Sequence, residues 1–421
     1  MSKLSRRNFL KSAGILGAGL FAREVYPAWM PRLAFAQDGV QGDVLVCIFL
    51  RGGADALNII APFGDDTYYR ARPTLALGQP DSNRDSATLE LSDFFGLNPD
   101  MVAMHELLTQ GQMTAIHAVG APHVSRSHFE AMDLIERGTD GAEGGASTGW
   151  LGRYLTQTAG ANDTPLRAIG WGDSLQTSLQ GYISATSLRS ITDYHLSGAD
   201  ADRMQASLAA LYQEDDMLDE AARATVDTLD IVSKIDVDQY IPANGASYSE
   251  TEFGRALKQT AALIKADAGL EVACVDMGGY DTHIAQGLTV AQQLGGFPLL
   301  VQELANNVRA FHDDMLDQLN KVTVVVMSEF GRRVQENGAA GTDHGHGGVM
   351  FVMSPDLHPV TVHGTWPGIN SRFLENGDLA MTSDYRDVLS EILVRRTHLT
   401  AADVNAVFPQ HTLAPIGLYR A

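Results

Sequence analysis

The stretch VTVVVMSEFGRRVQENGAAGTDHGHGGVMFVM runs from Val322 to Met353. Two near-continuous apolar runs, Val322–Met327 and Val349–Met353, enclose a glycine-rich connection. Apolar runs of this length, rich in β-branched residues, read as strands buried on both faces. The connection holds Glu329, Asp343, His344 and His346. A loop needs polar residues, but it does not need this many that can bind a metal.

The same apolar signature recurs at Val44–Leu50, Thr114–Val119, Leu166–Trp171 and Val272–Met277. Between these runs, apolar residues three or four apart predict helices over Asp100–Thr109, Ser127–Arg137, Ala201–Tyr212, Asp219–Lys234, Glu250–Ala268, Ala291–Leu319 and Tyr385–Arg395. Strand alternating with helix predicts an α/β fold with a central, mostly parallel sheet. Residues from about 199 to 242 are acidic and helical in pattern with no strand, and read as a helical insertion or cap. Residues 139–149 read as a glycine-rich loop, and no repeat or long linker divides the chain.

The first 36 residues read as an address. The stretch SRRNFLK (Ser5 to Lys11) carries Arg6 and Arg7, an apolar segment follows over Ala13 to Ala22, and AFA precedes Gln37. This order is that of a twin-arginine signal peptide over residues 1–36, with one domain over 37–421. The apolar segment is well short of the ~20 residues a spanning helix needs, so no stable membrane span is expected. The expected location is the periplasm or beyond, and the twin-arginine translocase is the expected export partner. Removing the leader's six basic residues and its one acid, Glu24, takes the formal charge from −21 to about −26. Nucleic acid is excluded as a partner, because phosphate backbones call for a basic surface. The only two cysteines, Cys47 and Cys274, sit inside apolar runs and read as buried thiols, with a disulfide open to them in an oxidising compartment.

In open α/β sheets, ligands bind at the carboxyl edge, where strands give way to loops. Asp55 follows the first strand across Gly52 and Gly53, and on its own reads as a helix cap or turn residue. After Thr114–Val119 comes GAPHVSRSHFEAMD, in which Ser127 and Glu130 match a capping box. The same place suits a nucleophilic hydroxyl, because free N–H groups at a helix start stabilise anions. Ser125 is the alternative hydroxyl, and Arg126 and His128 are placed to steady an anion. Asp281 and His283 follow Val272–Met277 two residues apart, on one face of an extended loop, as a ligand pair or as a turn residue and a surface imidazole. Near the C-terminus, Ser383 or Asp384 is expected to cap a helix. Together, Asp55, Asp281, His283, Glu329, Asp343, His344 and His346 predict a mixed nitrogen and oxygen site for one or two divalent ions, zinc or manganese before others.

The stretches FLRGGADALNIIAP, SRSHFEAMDLIERG, TGWLGRYL, GGYDTH, SEFGRRVQENGAAGTDHGHGG and TSDYRDVLSEIL resemble the DUF1501 family of secreted bacterial proteins. That family is similar, more distantly, to the alkaline phosphatase–sulfatase superfamily. The resemblance implies a three-layer α/β/α fold with a metal site at the carboxyl edge of its sheet. It implies ligand roles for Asp55, Asp281 and His283 and a nucleophile at Ser127. Where the superfamily has S-D-H-G after a strand, this chain has SEFG: Glu329 replaces the aspartate and Phe330 the histidine. A phenylalanine cannot ligate a metal, so either His344 or His346 supplies the imidazole or one metal position is lost. The implied activity is hydrolysis of phosphate or sulfate esters, on a small-molecule or polysaccharide substrate. The alternative is a non-catalytic secreted binding protein for polysaccharide or envelope material. A redox protein is disfavoured, because no paired cysteine motif for an iron–sulfur centre occurs.

Overall fold

The computed structural model describes residues 43–420 except 84–85, 142–145, 159–163, 182–184, 193–199, 213–216, 234–236, 238 and 288–295. The predicted leader and the first residues of the predicted helix Ala291–Leu319 lie outside the described residues. Among the described residues, the main sheet has nine strands: β1 (Val44–Leu50), β2 (Met113–Gly120), β3 (Ala168–Trp171), β4 (Thr186–Leu188), β5 (Val272–Met277), β6 (Val322–Ser328), β7 (Gly348–Met353), β8 (Val362–His363) and β9 (Ser383–Asp384). Their order is β8-β2-β7-β6-β1-β5-β3-β4, with β9 also pairing β2. Only β7 runs against the rest, antiparallel to both β6 and β2. The expected α/β fold with a mostly parallel sheet is what the chain adopts.

Alternation along β1 divides the core. Val44, Val46, Ile48 and Leu50 pack with the helices Val102–Thr109, Glu252–Lys265 and Phe297–Asp314. Leu45, Cys47 and Phe49 face the other side, with the helices Trp150–Gln157 and Tyr385–Arg396. Both faces of β1 are therefore covered, which explains its unbroken apolar sequence and makes three layers. Cys47 and Cys274 are register partners on β1 and β5, and both are buried free thiols.

The predicted insertion contains the helices Ala201–Leu211 and Met217–Ser233. The chain that follows is anchored far from the carboxyl edge. Tyr240, Tyr248 and Lys265 donate to the buried Asp314 at 2.7–2.9 Å. Asp314 ends the helix that leads into the start of β6, at the opposite edge of the sheet.

Candidate metal centre

Because β7 is reversed, the chain enters it at the edge where β1, β5 and β6 end. The loops after β1, β2 and β5 and the single connection from β6 to β7 therefore meet. Two glycines permit the approach. Gly52, at φ +117°, has Asp281 N 2.5 Å from where a Cβ would stand, and a Cβ on Gly341 would lie 2.2 Å from the His283 backbone. Any side chain at either position would push a ligand loop outward.

Three imidazoles converge on one oxygen. Asp281 Oδ1 lies 2.9 Å from His283 Nε2, 3.1 Å from His344 Nε2 and 3.3 Å from His128 Nε2. The two nitrogens of His283 and His344 are themselves 2.9 Å apart. Each ring is fixed from behind through Nδ1. His344 Nδ1 faces the Arg126 carbonyl at 2.7 Å, His128 Nδ1 faces Glu329 Oε1 at 2.7 Å, and His283 Nδ1 faces Asp343 Oδ1 at 3.2 Å. A carbonyl can only accept, so His344 Nδ1 carries a proton. Ionised Glu329 and Asp343 impose the same tautomer on His128 and His283. In neutral rings all three Nε2 lone pairs then point at a carboxylate oxygen. The Arg332 guanidinium meets that oxygen from one side at 2.6 Å, and the three facing nitrogens, left as acceptors, are an arrangement that a divalent ion would fit. Imidazoles held through their second nitrogen by carbonyls and carboxylates are the usual support of metal-binding histidines.

The surroundings keep the carboxylates ionised and favour a second proton on His128, which a bound cation would displace. Glu329 is buried, which opposes ionisation, but His128 and the backbone N–H of Glu329, Gly52 and Gly53 hold its carboxyl below the usual range. His128 is raised by its bond to Glu329, against the effect of burial. Asp281 is held well below the ordinary carboxylate range: burial opposes this, but the Arg332 guanidinium and His344 outweigh it. Asn337 and His283 lower Asp343.

Donor atoms of His128, Asp281 and His344 all lie within 4.8 Å of one another. Ligands about 2.0–2.2 Å from a tetrahedral zinc stand about 3.3–3.6 Å apart, so the atoms that now lie 2.9–3.3 Å apart would spread slightly to take an ion between them. Three imidazoles and a carboxylate suit zinc, iron or manganese better than magnesium or calcium. The rim is open to solvent: the Asp281 side chain is 48% exposed and His283 38%.

Among the residues singled out from sequence, Asp281, His283 and His344 are in direct contact, with Glu329 and Asp343 behind the imidazoles. His128, expected to steady an anion, joins the cluster itself. Asp55 and His346 do not. The Asp55 and Arg72 side chains are fully buried and doubly bonded, at 2.6 and 2.9 Å, and Asp55 also accepts from Gln286 and from Leu57 N–H. With both oxygens engaged, Asp55 caps the short helix Ala56–Ile59 and has no free lone pair aimed at the cluster. His346 is buried against Glu375 (2.7 Å) and the Ala121 carbonyl (2.8 Å), so its two nitrogens are likewise engaged. Ser127 is exposed and occupies the N-cap of His128–Arg137, but its side chain makes no capping bond. The predicted capping box is absent, because Glu130 accepts from Ser125 Oγ at 2.6 Å instead. Arg126 bonds Asp378 at 2.6 Å. At the C-terminal helix, Asp384 is the cap, as expected.

Sequence reasoning passed over Arg332. Its buried guanidinium donates to the carbonyls of Gly52, Gly53, Thr342 and Tyr280 and to Asp281 Oδ1 at 2.6 Å. It ties three of the converging loops together. Phe330 packs its ring 4.9 Å from that of His128 and 5.1 Å from that of His344, as an apolar wall for two of the imidazoles.

Among curated proteins, none matches this sequence. The family model described as "Protein of unknown function (DUF1501)" matches residues 43–408, and the chain belongs to that family. Solved structures are similar to it at low identity. A protein of the alkaline phosphatase superfamily from Vibrio parahaemolyticus is 11% identical, over 91% of this chain and 73% of that one, with a TM-score of 0.42. The C-terminal periplasmic domain of EcEptC from Escherichia coli is 13% identical, over 91% and 92%, with a TM-score of 0.38. The lipoteichoic acid synthase LtaP from Listeria monocytogenes is 8% identical, over 90% and 81%, with a TM-score of 0.35. No helix of the described residues is long and apolar enough to cross a membrane.

Proposed function

We propose that this DUF1501 protein is an exported, metal-dependent hydrolase of phosphate or sulfate esters. The observation that carries the reading is the convergence of three imidazole Nε2 atoms, each ring held at Nδ1, on Asp281 Oδ1. His128, His283, His344 and Asp281 would hold a divalent ion, zinc or manganese. Such an ion would supply Lewis-acid polarisation of the ester and stabilise its leaving oxygen. Export by the twin-arginine translocase follows from the leader.

The chain's own residues divide the remaining work. Ser127 sits between Arg126, whose carbonyl orients His344, and His128, a candidate ligand. In the proposed reaction, Ser127 Oγ attacks phosphorus or sulfur, the alcohol leaves with a proton, and water then cleaves the seryl ester to free the anion. The Arg126 guanidinium offsets the charge on the non-bridging oxygens. Glu329 and Asp343 hold the imidazoles in place.

The first test is elemental analysis of the mature protein after dialysis, followed by a panel of chromogenic phosphate and sulfate esters with added Zn²⁺ or Mn²⁺. Ser127→Ala should abolish turnover while leaving the metal bound. Turnover at the wild-type rate would remove Ser127 from the mechanism. Phe330, standing where a superfamily histidine would be, favours a second reading, a secreted binding protein on the same scaffold. Bound metal with no turnover across the whole panel would select it.

A further inference from the structure

Beside the cluster, two arginines share one buried acid. Asp378 is completely buried. Arg126 donates to its Oδ2 through Nε at 3.2 Å and through a terminal nitrogen at 2.6 Å. Arg333 approaches Oδ1 to 3.6 Å, too far for a hydrogen bond. Both arginines also donate to the Asn376 carbonyl, at 3.3 and 3.4 Å, so the two guanidiniums are neighbours. Each side chain remains more than a third exposed, at 39% and 37%. One carboxylate thus lies against two guanidiniums, each with part of its surface exposed.

The pair is tied to the candidate metal centre through its backbone. The Arg126 carbonyl orients His344, and the Arg333 N–H donates to the Asp343 carbonyl at 2.9 Å. The acids nearby are already engaged: Glu375 with His346, and Asp343 with His283 and Asn337. We infer that Arg333, set beside Arg126 by Asp378, forms a second anion subsite next to the cluster. The preferred substrate is then an ester with another anionic group close to the reacting one, such as a repeating phosphate or sulfate polymer. This inference rests on the hydrolase reading for the word substrate, but the anion subsite can be tested without turnover. Guanidinium forks recognise such oxyanions bidentately, and the loosely held Arg333 is free to turn toward one.

The test is calorimetric titration of the mature protein with inorganic pyrophosphate and with orthophosphate, both as isolated and after chelation. Arg333→Gln should weaken pyrophosphate binding about tenfold and orthophosphate binding less than about threefold. The difference should persist after chelation, and Arg333→Lys should restore part of it. Equal pyrophosphate affinity in wild type and Arg333→Gln would overturn the subsite, as would a pyrophosphate preference that disappears with the metal. Failure of the hydrolase reading would show instead as absent metal or absent turnover, and would leave the Arg333 result standing.

Discussion

Replacing Asp55 separates two roles that a sequence reading merges. If Asp55 is a metal ligand, Asp55→Asn should empty the site and scarcely alter stability. The structure predicts the reverse. Asp55 and Arg72 form a doubly bonded pair with both side chains fully buried. The Arg72 guanidinium also donates to Asn58 Oδ1 and to the carbonyls of Arg333 and Val334, at 2.8–3.0 Å. Removing the charge from one side leaves a buried guanidinium uncompensated, which costs about 3–5 kcal/mol. For a domain of this size, with an unfolding entropy of about 2.1 cal/mol/K per residue, that is a loss of about 4–6 °C in Tm. The assay is a thermal melt with elemental analysis of the same samples, folded at 20 °C. Asp55→Asn should melt several degrees early and retain its metal. A variant as stable as wild type but stripped of metal would refute the structural role and return Asp55 to the ligand set.

Phe330→His places a fourth imidazole beside those of His128 and His344. The Phe330 ring lies only 2.5 Å from where a Gly53 Cβ would stand, so an imidazole there would bury polar nitrogens against backbone, at a cost of about 1–3 kcal/mol. It should lower Tm without adding a metal, and one more bound ion per chain in elemental analysis would contradict this. His117 makes stability depend on pH. Burial pushes its imidazole down to about 4, from an ordinary 6.5. Between those values the unfolded chain takes up a proton that the native chain does not, so stability falls as pH drops from 6.5 toward 4, by about 3 kcal/mol for the full window. Above pH 6.5 this contribution is constant. Urea melts of wild type and His117→Gln at pH 7, 5.5 and 4.5 should show a shallower fall in the variant, and parallel falls would rule the assignment out.

The long strands were legible because burial on both faces writes itself as unbroken apolar sequence. Val44–Leu50 and Val272–Met277 coincide with β1 and β5. The edge strands Thr186–Leu188, Val362–His363 and Ser383–Asp384 were not, since two or three residues carry no period. Nor could composition tell that β7 is reversed. The site was legible in part for the same kind of reason. Asp281, His283, His344, Glu329 and Asp343 follow or precede strands that end at one edge, so topology alone brings them together. Asp55 and His346 sit at that edge too, but their bonding to Arg72 and Glu375 depends on partners 17 and 29 residues away in the chain. Arg332 looks in sequence like any surface charge, and only its cage of carbonyls reveals it.

Arginine is the common element in what sequence reading missed. Arg72 holds Asp55, Arg332 holds Asp281, and Arg126 holds Asp378, with Arg333 3.6 Å away. In a chain this acidic, loops rich in carboxylates would repel one another at the sheet edge without a cation among them. Here guanidiniums provide that cation, and they cannot be titrated or lost. The loops are thus gathered by covalently attached charge, and the imidazoles are oriented by Arg126, Glu329 and Asp343. Such a site keeps its shape whether or not an ion is bound, unlike small domains that fold only around their metal. If the proposed hydrolase reading holds, metal removal should therefore be felt in turnover, while the fold, braced by these arginine pairs, stays intact in a thermal melt.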